Sequence, residues 1–220
     1  MIRVSAGTAH VLGLKPIVCE ADPTTGYFLT GGVCAGGCGF CPQGQGKGKQ
    51  LSRVHWPEFS KSQVLAAAKE NGSLRRFCLQ VADSPGWLQE VTELLGGFGD
   101  RNPTVPICVS CRVKTADEVG QLLAAGADKV SIALDACTPG VAEVVGRDWH
   151  GTWNVLVQAA ALYPGHLATH LIIGLGESEQ EAVECISGLM ARGVTVGLFA
   201  FTPVKGTAMG EQPPPPIGSY

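Results

Sequence analysis

Charged residues are scarce in this 220-residue sequence. Lys, Arg, Asp and Glu together make up 16% of it, whereas hydrophobic residues make up 45%. This balance excludes an intrinsically disordered chain, because such chains combine high charge with few apolar residues. The formal net charge is −3, and sequence-independent binding to nucleic acid needs clustered Lys and Arg. We therefore expect a folded protein with no nucleic-acid partner.

Long apolar runs are absent as well. No run in the sequence approaches the roughly 18 residues of a membrane span. The N-terminal segment is interrupted by His10, Gly13 and Lys15 and lacks the compact apolar region of a signal peptide. The sequence therefore predicts a cytoplasmic protein with no membrane partner.

Cysteine, by contrast, is abundant. The chain has nine cysteines, an odd number, and it is too long and too rich in apolar residues to be a small disulfide-stabilised protein. In a reducing compartment, such enrichment usually means that thiols bind a metal or an iron–sulfur cluster. We expect several of the nine to be ligands.

Short β-like runs alternate with amphipathic segments along the chain. The strand candidates are residues 27–32, 76–82, 105–111, 129–135, 168–175 and 194–201. The helix candidates are residues 60–70, 86–95, 116–125, 151–162 and 179–191. Alternation of this kind is typical of parallel strands. Because six strands are countable rather than eight, the pattern predicts an α/β fold, a partial (β/α)6 TIM-like barrel of parallel strands.

The side chains of each strand alternate between its two faces. In residues 129–135 one face carries Val130, Ile132 and Leu134, which we expect to meet the helices, and Asp135 lies on the other face. The same reasoning places further small, polar and thiol side chains inside the barrel: Cys78, Gln80, Cys108, Ser110 and His170. A lumen lined in this way is shaped to hold ligands. His170 is thus a site candidate, with a core histidine bonded to backbone as the alternative.

A compact cysteine motif directly follows the first strand candidate. Cys34, Cys38 and Cys41 form a C-x3-C-x2-C pattern whose intervening glycines let the backbone wrap tightly. Thiolates are the natural ligands of iron–sulfur clusters, and three of them leave the fourth iron of a 4Fe–4S cluster open to a chelating substrate. A structural zinc site fits less well, because it usually has four ligands in two separated pairs. Chance spacing is the other alternative.

With an aromatic residue, Phe40, before its last cysteine, this motif resembles that of the radical S-adenosylmethionine (SAM) superfamily. The resemblance implies that Cys34, Cys38 and Cys41 hold a 4Fe–4S cluster whose open iron is chelated by SAM. It further implies that one electron cleaves SAM to methionine and a 5′-deoxyadenosyl radical, with Phe40 beside the adenine.

Later segments resemble the biotin synthase branch of that superfamily. The resemblance implies that Cys78 and Cys108 ligate an auxiliary iron–sulfur cluster, that Asp135 binds the ribose hydroxyls and that Arg147 pairs with the methionine carboxylate. The motif from Ile172 through Gly174 to Glu177 matches the adenine-contacting segment, and residues 204–207 match the segment after strand six. We also count two further residues as candidate cofactor-binding residues, Gln80 and Leu198.

The chain departs from biotin synthase at informative positions. The third auxiliary cysteine of that enzyme aligns with Ala168. Cys111 and Cys137 are candidates to complete a different auxiliary cluster, although strand parity places Cys111 on the opposite face from Cys108 unless the strand has ended. Phe199, and with it Phe201, stands where biotin synthase presents a polar residue, which favours an apolar acyl chain as substrate.

The segments around residues 22–25, 41–43 and 51–57 resemble the two-protein lipoyl synthases of archaea and anaerobes. This resemblance implies sulfur insertion at unactivated C–H bonds of an octanoyl chain on a carrier protein or peptide. It also implies a second radical SAM subunit and an electron donor such as ferredoxin or flavodoxin. Two alternatives remain: another radical SAM reaction, such as sulfur insertion on a small molecule, methyl transfer or rearrangement, and a non-catalytic iron–sulfur or zinc partner subunit.

These motifs give an expected domain organisation. Residues 1–26 form an N-terminal extension, residues 27–210 a radical SAM core domain, and residues 211–220 a C-terminal tail that is rich in proline.

Overall fold

A computed structural model describes residues 1–18, 20–43, 50–51, 53–100 and 104–216. Its strands are β1 (Ile2–Val4), β2 (Thr25–Thr30), β3 (Glu58–Phe59), β4 (Arg76–Gln80), β5 (Ile107–Cys111), β6 (Lys129–Ile132), β7 (Leu167–Ile173) and β8 (Thr195–Ala200). Its helices are α1 (Ala6–Val11), α2 (Lys61–Glu70), α3 (Trp87–Gly99), α4 (Ala116–Ala124), α5 (Pro139–Val144), α6 (Trp149–Leu162) and α7 (Glu179–Met190).

The strands form one sheet in the order β3-β1-β2-β4-β5-β6-β7-β8. Strand β2 and strands β4 to β8 run parallel to their neighbours in this set, and β1 lies antiparallel between β2 and β3. The predicted α/β fold with six parallel strands in a partial barrel is confirmed. Strands β1 and β3 add to it, and the expected boundary at residue 27 falls within β2.

Most helices begin where the sequence supplies an N-cap. Ser60, Thr115 and Ser178 each accept a hydrogen bond from the backbone N–H three residues on. In each case a Gln or Glu at that third position bonds back to the capping residue and completes a capping box. These reciprocal bonds satisfy N–H groups that a helix start leaves unpaired.

The helices cover the outer face of the sheet. As predicted, Val130, Ile132 and Leu134 are buried on this side. The largest fully buried side chains are Phe28, Phe77 and Phe98, whose ring centroids lie 4.8 to 5.7 Å apart. The core therefore lies between the sheet and the helices, and the inner face is left for other side chains. Among the described residues, no helix combines the length and the apolar character needed to cross a bilayer.

We predict that Phe77→Ala lowers the free energy of unfolding by roughly 3–5 kcal/mol, because it leaves a cavity between two rings that cannot close around it. Anaerobic urea denaturation followed by circular dichroism measures the change. Val183→Ala, at an exposed position of α7, is the control and should change stability by less than about 0.5 kcal/mol. Equal stability of both variants would contradict this assignment of the core.

Candidate active site

The loop that carries Cys34, Cys38 and Cys41 follows β2 at the carboxyl end of the parallel strands. Backbone hydrogen bonds fix it to three other parts of the chain: Ala35 N–H donates to the Asp83 carbonyl at 2.7 Å, Gly39 N–H to Val145 at 3.0 Å, and Met209 N–H to Gly39 at 3.0 Å. Functional groups of barrel enzymes lie at this end of the sheet. The loop is thus held by the fold.

Gly36, between the first two cysteines, is buried. A Cβ added to it would lie 3.3 Å from Cys34 Sγ and 3.9 Å from Cys38 Sγ. Glycine therefore leaves open the space beside the two sulfur atoms, and any larger residue would fill part of it. All three cysteines are partly exposed, so they can be reached from outside the protein.

Within the described part of the chain, no group of three His, Cys, Asp or Glu side chains converges on a point where a single metal ion would bind. A structural zinc site usually has four protein ligands, whereas a 4Fe–4S cluster with one iron open to a substrate needs three thiolates. The donor set of Cys34, Cys38 and Cys41 is therefore chemically suited to such a cluster.

A cavity of about 840 Å³ opens on the inner face of the sheet. Phe40 and Cys41 of the cysteine loop line it, as do Leu51, Phe201 and Val204. Its wall also contains the predicted inward residues Cys78, Gln80, Cys108, Ser110, Asp135 and His170. The period-two prediction for the inner face is confirmed at these positions. The volume lies within the range of ligand pockets.

Asp135 follows β6 and is 4% exposed. Its Oδ1 lies 2.9 Å from His170 Nε2, and its Oδ2 lies 2.8 Å from Arg147 Nε. Burial raises the pKa of the Asp135 carboxyl, but the hydrogen bond from His170 and the charges of Arg147 and Arg112 outweigh burial and lower it overall. Asp135 is thus a carboxylate held by two partners at the edge of the cavity.

The backbone of Asp135 has φ 63°, in the left-handed region that only a few per cent of non-glycine residues adopt. Neighbouring β7 holds it there, because Asp135 N–H donates to the His170 carbonyl at 3.0 Å and Ile172 N–H donates to the Asp135 carbonyl at 2.8 Å. Such strained positions concentrate at functional sites.

Arg147 connects this carboxylate to the cysteine loop. Its side chain is buried, and besides Asp135 it contacts the Ala133 carbonyl through Nη2 and Cys38 Sγ through Nη1, the latter at 3.7 Å. The structure therefore brings together Cys38, Arg147, Asp135 and His170, which come from four separate segments of the sequence.

Cys78 and Cys108 face each other on adjacent strands, as register partners of β4 and β5. Gln80 Nε2 donates to Cys78 Sγ at 3.1 Å, and Arg76 Nη1 donates to Cys108 Sγ at 3.8 Å. The hydrogen bond from Cys78, with help from Arg76, lowers the pKa of Cys108 to about 6 and raises the pKa of Cys78. The predicted pair is thus adjacent, and it lies in the cavity wall.

Four other candidate residues lie outside the cavity wall. Cys111 is buried in the hydrophobic core on the opposite face of β5 from Cys108, since β5 has not ended there. Cys137 lies in the same core, hydrogen-bonded to Cys185 of α7. Cys111 thus lies on the other side of the sheet from the Cys108 thiol, as strand parity predicts. A role of Cys111 and Cys137 in an auxiliary cluster stays a prediction.

Leu198 and Gly174 also differ from the expectation. Gly197 and Phe199 line the cavity, so the intervening Leu198 points outward and is 54% exposed. Its role in cofactor binding stays a prediction. Gly174 lies after β7 with φ 97°, and its N–H donates to Glu177 Oε1 at 2.6 Å. Gly174 therefore forms a turn after β7, in a backbone conformation that glycine adopts without strain.

Two residues near the cysteines were not singled out by the sequence. Arg112 follows β5 and pairs with Asp83 at 3.4 Å. Thr169 is buried and bridges β6 and β7, because its hydroxyl donates to the Ile132 carbonyl at 2.7 Å and accepts from Leu134 N–H at 3.2 Å. An arginine at the carboxyl end of a predicted strand was the available signal for Arg112. Nothing in the local pattern indicates Thr169.

No family model and no curated protein matches this chain. Solved structures do. Methylornithine synthase (PylB) has a TM-score of 0.66 and 14% identity over 93% of this chain and 59% of its own. HydG, a maturase of the [FeFe]-hydrogenase, has a TM-score of 0.68 and 12% identity over 83% of this chain and 44% of its own.

HydG from Carboxydothermus hydrogenoformans has a TM-score of 0.66 and 15% identity over 84% of this chain and 46% of its own. The chain thus spans about half the length of the structures it matches. At such low identity the similarity concerns the fold alone. The chain therefore shares the α/β partial-barrel fold of these structures.

Proposed function

We propose that this protein is a radical SAM enzyme that inserts sulfur into an unactivated C–H bond of a protein-bound octanoyl chain. The observation that carries the first part is the cysteine loop: its three thiols are partly exposed, those of Cys34 and Cys38 lie beside Gly36, and Cys41 lines a ligand-sized cavity. Cys34, Cys38 and Cys41 would hold a 4Fe–4S cluster there. When bound, the cluster supplies the electron that cleaves SAM and yields a 5′-deoxyadenosyl radical.

The residues around this loop support SAM binding. Phe40 and Ile172 offer apolar surface for the adenine, and Asp135 can accept hydrogen bonds from ribose hydroxyls at the cavity edge. Arg147 carries a buried positive charge between Asp135 and Cys38, which favours a carboxylate nearby. The chain's own contribution is to orient SAM and exclude water, while the cofactor supplies the chemistry.

Two features of the cavity support the octanoyl chain as substrate. Apolar side chains form part of the cavity wall, among them Leu51, Val196 and Phe199, which suits an alkyl chain. The paired thiols of Cys78 and Cys108 stand in the wall of the same cavity. They would bind the auxiliary iron–sulfur cluster from which sulfur is supplied.

The proposed partners follow from the same function. An octanoylated carrier protein or peptide would be the substrate, and ferredoxin or flavodoxin would donate the electron. The resemblance to the two-protein lipoyl synthases also implies a second radical SAM subunit, which we include in the proposal.

We predict that replacing Cys34, Cys38 and Cys41 together by Ala abolishes reductive cleavage of SAM. The wild-type protein, reconstituted anaerobically with iron and sulfide and given dithionite, should form 5′-deoxyadenosine, measured by liquid chromatography. The triple variant should keep the iron of any second cluster. Cys185→Ala, in the core far from the loop by sequence, is the control and should retain activity. Bound zinc without iron in wild-type protein would contradict the proposal.

We predict that Cys78→Ala with Cys108→Ala retains 5′-deoxyadenosine formation but loses thiolated product. The substrate is an octanoyl-lysine peptide, supplied with and without a lipoyl synthase partner subunit, and the product is measured by mass spectrometry. The double variant should also lose iron relative to wild type. Cys111→Ala is a matched control, because the same residue type on the opposite face of β5 does not touch the cavity.

The same assay separates the alternative functions. Deoxyadenosine without any thiolated peptide, even with a partner present, indicates another radical SAM reaction. One cluster per chain by iron counting points the same way. No cleavage of SAM under any of these conditions indicates a non-catalytic partner subunit.

A further inference from the structure

Arg112 stands directly beside the cysteine loop. Its Nη1 lies 3.0 Å from the point where a Cβ of Gly36 would be, and Cys34 Sγ lies 3.3 Å from that same point. A guanidinium is charged at any pH the protein experiences. A permanent positive charge is therefore fixed against the edge of the loop that would hold the cluster.

Asp83 holds this guanidinium in place and also contacts the loop. Its Oδ2 lies 3.4 Å from Arg112 Nη1, and its backbone carbonyl accepts the hydrogen bond from Ala35 N–H at 2.7 Å. One residue at the end of β4 thus positions both the arginine and the cysteine loop. Because the two contacts share Asp83, the distance between the charge and the thiols is set by the fold.

Arg112 differs in this respect from the other arginine near the thiols. Arg147 is buried, and its charge is balanced by Asp135. Arg112 is one third exposed, and the Asp83 carboxylate that faces it is similarly exposed, so solvent weakens their pairing. The charge of Arg112 is therefore less fully neutralised and remains available to act on a neighbouring group.

We propose that Arg112 raises the reduction potential of the cluster held by Cys34, Cys38 and Cys41, and that Asp83 lowers it. Reduction adds one electron from a low-potential donor and makes the cluster more negative, so a nearby cation stabilises the reduced form and a nearby anion destabilises it. Charge and hydrogen bonding around the sulfur atoms are recognised determinants of cluster potential. The inference rests on the proposed function for the presence of the cluster only.

The test is an anaerobic redox titration of the reconstituted protein without SAM, followed by electron paramagnetic resonance. We expect Arg112→Gln to shift the midpoint to lower potential, Arg112→Lys to stay near wild type, and Asp83→Asn to shift it to higher potential. Lys114→Gln makes the same charge change at an exposed position two residues along and should leave the midpoint unchanged. Iron content and circular dichroism establish that each variant is loaded and folded.

Each result decides the matter. Equal midpoints for wild type, Arg112→Gln and Asp83→Asn overturn the proposal, as do equal shifts in Arg112→Gln and Arg112→Lys, since geometry rather than charge would then be responsible. If Arg112→Gln does not hold iron, the shift to higher potential expected of Asp83→Asn, beside an Arg112→Lys midpoint near wild type, still tests it. A wild-type protein that binds no cluster overturns the proposed function as well, and is told apart by its iron content.

Discussion

The Asp135 carboxylate is the group on which the arrangement of the site depends. It lies almost fully buried between His170 and Arg147, and a buried charge is tolerated only when it is paired and hydrogen-bonded. The positions of Asp135, His170 and Arg147 therefore depend on one another. Arg147, held by Asp135 through Nε, contacts Cys38 Sγ through Nη1. The Asp135 carboxylate therefore connects the end of β6 with His170 of β7 and, through Arg147, with the cysteine loop. The strained backbone of Asp135, with φ 63°, lies at this junction.

The register of the parallel strands determines what stands inside the barrel. Tyr27, Cys78, Cys108 and Lys129 follow one another across β2, β4, β5 and β6 as register partners. Because side chains alternate along a strand, one register places the whole row in the cavity, while the large apolar residues beside them pack under the helices. A shift of one residue in β5 would replace Cys108 in the cavity by Ile107 or Val109. The pairing of the Cys78 and Cys108 thiols therefore depends on the register of the sheet.

The sequence predicted the parts of this fold that have a strong local pattern. Six parallel strands and their inner faces follow from a period of two over four to seven residues, and the cysteine loop follows from its spacing. Strands β1 and β3 have only three and two residues, too few for any period, and β1 pairs with the edge of β2. Strand parity correctly places Cys111 on the face opposite Cys108. A sequence pattern cannot tell whether such a thiol binds metal, because a thiol packs in a core as readily as it binds a metal.

The two groups of thiols differ in how many of the ligands of a cluster this chain supplies. Cys34, Cys38 and Cys41 lie within one loop, and three thiolates suffice where one iron must stay open to a substrate. Cys78 and Cys108 contribute two thiols, whereas most iron–sulfur clusters have four protein ligands, and the described cavity wall adds no third cysteine besides Cys41 of the loop. A second cluster would therefore need other ligands, such as Arg76, which already contacts Cys108, or ligands from a partner. The first site can act alone by its chemistry, and the second gives a physical reason why this chain would work in a two-protein enzyme.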